Sequence, residues 1–492
     1  MSTFNKVTEA DLAYFRSLLP GRVYAGEEIS TDFDHDEMTE YGHFMPEAVL
    51  EALSTEDVSA VLRYCNERRI PVTPRGAGTG LCGGCVAICG GVVLSTAKMK
   101  KVLEVDTKNM TATVEPGVLL MEFPKSLEGT GLFYPPDPGE KTATMGGNAM
   151  TNAGGMRAVR YGVTRDYVLG MEVVLADGSV IELGGKTVKT SSGYSLIDLL
   201  IGSEGTLGFL TKLTVKLVPE PKVNLSLLMP FDDLDACIGA VPQVLTCGCD
   251  PTAVEFMERE VISCAETYLG KQFPDTSANA YLLVRLDGPS QEALQPAIDT
   301  LTTLALSIGA KDVLLADTDE RKESIWNARG AFLEAIKGST STMDECDVVV
   351  PRDVIPDFVH RSVEIGHELG VRIRSFGHAG DGNLHIYVCR DELSEEAWKE
   401  KVASAMQQLY DAARALHGEV SGEHGIGHAK KEFLRESVGE KQIALMRGIK
   451  AVFDPNGILN PGKVAPGGGQ RAPGMRRCSP RTCGEQCATR DF

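Results

Sequence analysis

Between Thr55 and Arg68 the apolar residues Val58, Val61, Leu62 and Cys65 recur at three- and four-residue spacing, which predicts an amphipathic helix with one buried stripe. Past that helix the rhythm changes. Short β-branched and apolar runs at Ile70–Thr73, Val92–Ser95, Lys101–Asp106 and Thr111–Glu115 predict strands, and residues 171–183 read as a hairpin about Asp177-Gly178. The first 45 residues are polar and helix-like, a lead-in rather than a domain. Residues 46–222 are glycine-rich and strand-rich and form the first predicted domain. The composition shifts at the proline-bearing segment 218–222. Residues 223–415 then alternate long helical patterns with strands such as Tyr281–Arg285 and Val348–Val350, which predicts a second, α+β domain. Residues 416–463 return to glycine-rich text, so the chain is expected to come back to the first domain. Residues 464–492 are rich in Pro, Gly and Arg and read as a disordered tail.

Composition narrows the class. The 492 residues are 43% hydrophobic and 24% charged, a soluble globular balance with room for two or three domains. No stretch reaches the roughly 18 uninterrupted apolar residues of a membrane span. The opening MSTFNKVTEADLAYF has no apolar signal core, so a cytoplasmic location is expected. A formal charge of −19 argues against a nucleic-acid partner, since phosphate binding needs a basic surface. Thirteen cysteines in such a chain are expected as reduced thiols. Cys82, Cys85 and Cys89 have C-x2-C-x3-C spacing, but no fourth ligand lies in sequence range to complete a cluster.

Four glycine-dense segments then stand out. Pro74-Arg75-Gly76-Ala77-Gly78-Thr79-Gly80 follows a strand, and consecutive glycines let backbone N–H groups converge on a phosphate. A dinucleotide fingerprint needs a helix next, whereas another short strand follows, so this is not a Rossmann loop. Residues 134–139 form a proline-stiffened turn, residues 145–155 a second glycine run, and residues 202–208 a third. Any one of them could be a structural turn. Together they imply a long ligand, of the size of FAD, lying against bare backbone.

These segments, with the HAGDGNLH run at 378–385, the SGEHGIG run at 421–427 and the LNPGK run at 459–463, resemble the FAD-linked oxidase family typified by the glycolate oxidase D subunit and D-lactate dehydrogenases. The motifs stand in family order from Pro46 to Lys463. The resemblance implies an α+β fold: a vanillyl-alcohol-oxidase/PCMH-type FAD-binding domain of two α+β subdomains, with an α+β cap over the substrate. It implies that Arg75, Gly76, Ala77, Gly78, Thr79 and Gly80 cradle the pyrophosphate. By the same resemblance Pro136, Asp137, Gly146, Gly147, Asn152, Gly155, Glu204, Thr206 and Gly208 line the cofactor, with Asn460 returning near its ring. The chain has no histidine between His43 and His360, so a histidyl attachment in that domain is excluded and the FAD is expected to be non-covalent.

His378 and His385 lie seven apart around a glycine turn, and Glu423 follows later. Two imidazoles and a carboxylate suit a three-ligand Zn²⁺ or Mn²⁺ site with open positions, although each histidine taken alone is more often structural than a ligand. The resemblance implies the ligand assignment. A metal on the carboxylate and 2-hydroxyl of a substrate lowers the hydroxyl pKa, His424 beside Glu423 can take the proton, and hydride passes from C2 to flavin N5. Asp381 and Asn383 suit a turn, Asn383 also a supporting contact. Arg329 stands where the family places its substrate-binding arginine, and a guanidinium grips a carboxylate at two points.

The expected function is therefore FAD- and metal-dependent oxidation of a small D-2-hydroxy acid, lactate or glycolate, to the 2-oxo acid. Relatives acting on dicarboxylates use further Thr and Lys contacts; here Gly330-Ala331-Phe332-Leu333 follow the arginine and Asp344-Glu345 stand near the lysine position, which favours a monocarboxylate. Electrons are expected to pass to a quinone or to a protein acceptor, an electron-transferring flavoprotein or an iron–sulfur subunit, and a homodimer is compatible. Alternatives are an oxygen-using oxidase, a non-catalytic flavin subunit and a metal-dependent hydrolase.

Overall fold

A computed structural model describes residues 4–465. The predicted tail, with Cys478, Cys483 and Cys487, lies outside the described residues except for Val464 and Ala465.

Periodicity carries the first layers. The helix Thr55–Arg68 opens on Ser54, whose hydroxyl accepts from the Asp57 N–H, and it buries Val58, Val61, Leu62 and Cys65 as its spacing predicts. It packs with the strands Ala48–Glu51, Val92–Ser95 and Val72–Arg75, which are parallel, the second lying between the other two. The lead-in is more than a polar helix. Its helix Glu9–Leu18 buries Leu12 and Phe15 in the same core, and its strand Val23–Ala25 pairs antiparallel with Ala48–Glu51. That correction has a plain cause: three residues of strand form because a partner edge is open, which local pattern does not report.

A second, antiparallel sheet runs in the order Val102–Asp106, Thr111–Val114, Phe209–Lys216, Val168–Val174, Val180–Gly184. The predicted hairpin is its last pair, turning at Gly178 with φ of +82°. The helix Met145–Thr151 and the strand interiors share a core that includes Val114, Met145, Ala149, Val173 and Leu213.

The rest of the chain builds one antiparallel sheet of seven strands, ordered Leu314–Ala316, Val223–Phe231, Ala280–Gly288, Ala253–Glu258, Arg372–His378, Asn383–Cys389, Met343–Val349. Successive side chains alternate between its faces. Leu225, Leu227, Val254, Leu282, Val348, Leu384 and Ile386 fill one face, under the long helices Gln291–Ser307, Ile355–Leu369 and Glu395–Ala415. Leu228, Met257, Leu283, Phe376 and Tyr387 fill the other, under Arg259–Leu269, Asp319–Gly330 and Phe332–Gly338. On this second face, at the strand positions in step with Met257, Phe376 and Tyr387, stand Glu255, Glu345, Asp347, His378 and His385. Buried ionisable groups gathered on one face of a sheet need partners, and they single out this face as a candidate site.

The last segment spans both parts. The helix Lys431–Phe453, interrupted at Gly439 where φ is +78°, starts with Leu434 and Ile443 in the core of the seven-stranded sheet. Farther on, Ile458 and Leu459 join the core of the first sheet, Leu459 bridging to Val72. No helix among the described residues is long and apolar enough to cross a membrane.

Candidate active site

A cavity of about 1000 Å³ lies between the glycine segments and the polar side of the seven-stranded sheet. That volume is at the upper end of the roughly 300–1,000 Å³ of ligand pockets, large enough for an extended cofactor plus a small substrate. Its walls include Arg75, Gly76, Ala77, Gly78, Thr79, Gly80, Asp137, Gly146, Gly147, Glu204 and Gly208 from the first part of the chain. Arg329, His378, His385, Glu423 and His424 line it from the rest.

Five of the expected cofactor residues do not reach this wall. Asn152 ends the helix Met145–Thr151 with φ of +55°, and its side-chain oxygen accepts from the Arg165 N–H. Gly155 has φ of +132°, and a Cβ there would stand 2.2 Å from the Asp137 carbonyl oxygen. The Thr206 hydroxyl donates to the Ser203 carbonyl, Pro136 is buried beside Asp137, and Asn460 donates to the Gly84 and Glu204 carbonyls. They shape the wall from behind. The Arg75 guanidinium also turns away, to the carbonyls of Asp32 and His35, so the lead-in is tied to the glycine loop from outside. The Glu204 carboxylate accepts from the N–H groups of Ile426 and Gly427, both at 2.8 Å, and so clamps the loop that carries Glu423. Burial pushes its carboxyl up, and those two donors offset only part of that. The FAD expectation fits this geometry: backbone-walled space runs along the glycine segments, with Lys141 and Arg157 beside Asp137.

The other end of the cavity is built from side chains. His378 ends one strand and His385 is the third residue of the next; Asp381 and Gly382 make the turn, with Gly382 at φ of +88°. Register pairs His378 with Asn383, so His378 and His385 share a face with rings 5.4 Å apart. The Nε2 atoms of His378 and His385 stand 3.5 and 3.4 Å from Glu423 Oε1. Ligands about 2.1 Å from a tetrahedral Zn²⁺ stand about 3.4 Å apart, so this donor set has metal-site spacing. Each imidazole has a carboxylate at its other nitrogen, as metal-binding histidines usually do. His378 Nδ1 is 2.9 Å from both oxygens of Glu255, and His385 Nδ1 is 3.3 Å from Glu345 Oε1. Burial alone would lower both imidazoles; Glu255 and Glu423 instead hold His378 well above its ordinary value, and Glu345 and Glu423 raise His385 to about 9. Burial pushes Glu423 up, but the two histidines outweigh it and hold the carboxylate well below its usual range. His378, His385 and Glu423 are thus the residues that could hold a metal ion here.

Two further groups join it. His424 Nε2 lies 3.8 Å from Glu423 Oε1, and its ring stacks on His385 at 5.1 Å. Arg329 is buried, its guanidinium 4.6 Å from the Phe376 ring centre; Nε and Nη2 donate to Glu255 Oε2 at 2.9 and 2.6 Å, leaving Nη1 for another acceptor. It is not a helix-surface arginine. Asn383 does not face the metal-type cluster; it donates to Asp347 and the Val348 carbonyl. Asp347 in turn accepts from the Ser421 hydroxyl and the N–H groups of Gly422, Glu423 and His424, which fixes the loop. Asp344, by contrast, points to the Tyr41 hydroxyl.

Glu255 and Asp347 escaped sequence reasoning, and Glu345 was read only as an acid near a substrate-contact position. The available signal was an acid in step with buried apolar positions, in Ala253–Glu258 and Met343–Val349. The cysteine expectation changes little: Cys82 donates to the Gly425 carbonyl, and no cysteine belongs to a metal-type group among the described residues.

The wider resemblance matches the geometry. Residues 46–184 match an FAD binding domain, and residues 220–464 match the C-terminal domain of FAD linked oxidases. Over 466 residues the chain is 51% identical to a D-lactate dehydrogenase of Anaerostipes hadrus, covering 94% of this chain and 98% of that protein. A glycolate oxidase subunit GlcD of Bacillus subtilis (strain 168) is 39% identical, covering 88% and 91%. Among solved structures, p-cresol methylhydroxylase with substrate bound superposes with a TM-score of 0.78 at 19% identity, covering 94% of this chain and 98% of that one. A flavoprotein fold of the vanillyl-alcohol-oxidase type, with a mixed-charge cluster facing a glycine-walled cavity, is thus what these residues build. The chain belongs to the FAD-linked oxidase family and is an FAD-dependent oxidoreductase. That membership removes the hydrolase alternative.

Proposed function

We propose that the protein oxidises a small D-2-hydroxy acid, lactate or glycolate, to its 2-oxo acid with non-covalent FAD and a divalent metal, Zn²⁺ or Mn²⁺. The observation that carries this reading is the convergence of His378, His385, Glu423, His424 and Arg329 at one end of the glycine-walled cavity. When bound, the FAD supplies the hydride acceptor and the metal a Lewis acid for the substrate's oxygens. His378, His385 and Glu423 would hold the metal. Arg329 Nη1 would pair with the substrate carboxylate, its orientation set by Glu255. His424, stacked on His385 of the same cluster, would take the hydroxyl proton at Nε2.

Substrate size follows from the wall beyond Arg329. Gly330, Ala331, Leu333 and Phe376 line it, and Arg157 and Arg285 are already paired with Asp137 and Asp287. The apolar part of that wall gives a second substrate carboxylate no partner beside the first, which favours a monocarboxylate. The names of the D-lactate and glycolate relatives support the same class. Electrons would leave to a protein or quinone acceptor.

The test is a visible spectrum of the pure protein before and after anaerobic D-lactate, with metal analysis of the same sample. A flavin band that bleaches, with one Zn or Mn per chain, is expected. A flavin band untouched by D-lactate and by glycolate would sink the substrate class. In the same assay His424→Ala keeps the flavin band and the metal and loses about 10²–10⁴-fold in turnover; full activity would remove His424 as the base.

A further inference from the structure

Three buried polar atoms near the cavity lack a hydrogen-bond partner and face one another: Glu345 Oε2, His385 Nδ1 and His424 Nδ1. His385 Nδ1 is 3.3 Å from Glu345 Oε1, and His424 Nδ1 is 3.4 Å from Glu345 Oε2. The two rings stack at 22°, so their matching edges lie on the same sides. Both Nε2 atoms look to Glu423 Oε1, at 3.4 and 3.8 Å, and both Nδ1 atoms look to Glu345. One carboxylate brackets the stacked pair on each side.

We infer that Glu345 is a positioning residue that holds a proton on Nδ1 of both His385 and His424, leaving Nε2 of the first free for the metal and Nε2 of the second free for the substrate proton. This inference rests on the ligand and base assignments proposed above. The carboxylate is itself fixed: it is buried, the Tyr387 hydroxyl donates to Oε1 at 2.8 Å, and Tyr387 is its cross-strand partner. A neutral imidazole has one donor nitrogen and one acceptor, and the partner at one nitrogen decides the other. At 3.3 and 3.4 Å the two contacts lie within reach of Glu345 and are the nearest carboxylate approach to either Nδ1. Glu255 does the matching work on the opposite side, for His378 and Arg329. The site thus has two carboxylate supports, each serving one metal-type imidazole and one group that faces substrate.

The experiment compares wild type with Glu345→Gln, both carrying FAD, for Zn²⁺ affinity by chelator competition and for kcat and KM with D-lactate. The variant is expected to bind Zn²⁺ about 10–100-fold more weakly. Its kcat at saturating metal should fall about 10²-fold or more, with KM moving less than about threefold. Wild-type affinity and kcat together would overturn the inference, and so would a change confined to KM. Two equivalents of Zn²⁺ in wild type and one in the variant would also overturn it, making Glu345 a ligand. If the variant loses its flavin band or melts early, ¹⁵N-histidine spectra of wild type decide instead: His424 as the Nδ1–H tautomer supports the inference, and Nε2–H refutes it. A wild type that binds no Zn²⁺ or Mn²⁺ would defeat the metal assignment, while the His424 tautomer would still judge Glu345 separately.

Discussion

The two ends of the cavity are made differently. Along the glycine segments much of the wall is backbone, contributed by glycines, prolines and short turns, so that shape governs what fits there. At the other end, charged side chains from Ala253–Glu258, Asp319–Gly330, Met343–Val349, the 372–389 hairpin and the 421–427 loop meet within a few ångströms. Shape is disrupted by adding an atom, and a charge network by removing one. The two ends should therefore fail independently, one showing in the flavin band and the other in metal content and turnover.

The largest separation is expected from His378→Ala. Loss of one of the three proposed ligands should abolish stoichiometric metal and lower kcat by on the order of 10³-fold, since the Lewis-acid contribution is several kcal/mol, with the flavin band intact. Loss of FAD in that variant would show that the ends are not independent. Arg329→Lys comes next. A lysine keeps the charge beside Glu255 but not the fork, and forfeiting a charged hydrogen bond of about 1.5–3 kcal/mol should lower kcat/KM for D-lactate about 10–100-fold. An unchanged value would move the substrate carboxylate elsewhere.

Gly155→Ala probes the opposite end. Its Cβ would collide with backbone at the Asp137 carbonyl and occupy a φ that L-residues rarely adopt, a strain of about 1–3 kcal/mol. FAD affinity should drop about tenfold or more while Zn²⁺ affinity holds; fluorescence of released FAD measures the first. If metal affinity falls equally, the strain has crossed the cavity.

The effect farthest from turnover concerns Asp36, which accepts from the Gly83 and Met38 N–H groups and is buried, so that its carboxyl is pushed up to about 6. The unfolded group titrates near 4. The folded chain therefore binds this proton more tightly, and the associated stability is present below about pH 4 and lost as pH rises through about 6. Relative to Asp36→Asn, wild type should lose about 2–3 kcal/mol between pH 4 and 7 in denaturant unfolding followed by the flavin signal. A constant difference across that range would mean that Asp36 titrates normally.

Legibility divides along the same line. Val58, Val61, Leu62 and Cys65 announced their helix, and Asp177-Gly178 its hairpin, because both rest on neighbours within a few positions. His378 and His385 were readable as a pair because a single turn joins their strands, and Glu423-His424 because they are contiguous. The strand Val23–Ala25 was not readable, since nothing local requires it. Nor were the further contacts of Arg75 and Glu204, which line the cavity and also tie the lead-in and the 421–427 loop to it.

By itself, then, the sequence determined the alternation of helices and strands, the backbone-walled segments suited to a long cofactor, and a set of residue types that could serve a metal and a base. Only the tertiary structure decided which buried acids stand beside those residues. Glu255 meets Arg329 across 74 positions, and Glu204 meets Gly427 across 223. A buried charge is tolerated only where a partner and its hydrogen bonds are brought to it, and that pairing is a property of the folded chain rather than of any stretch of it.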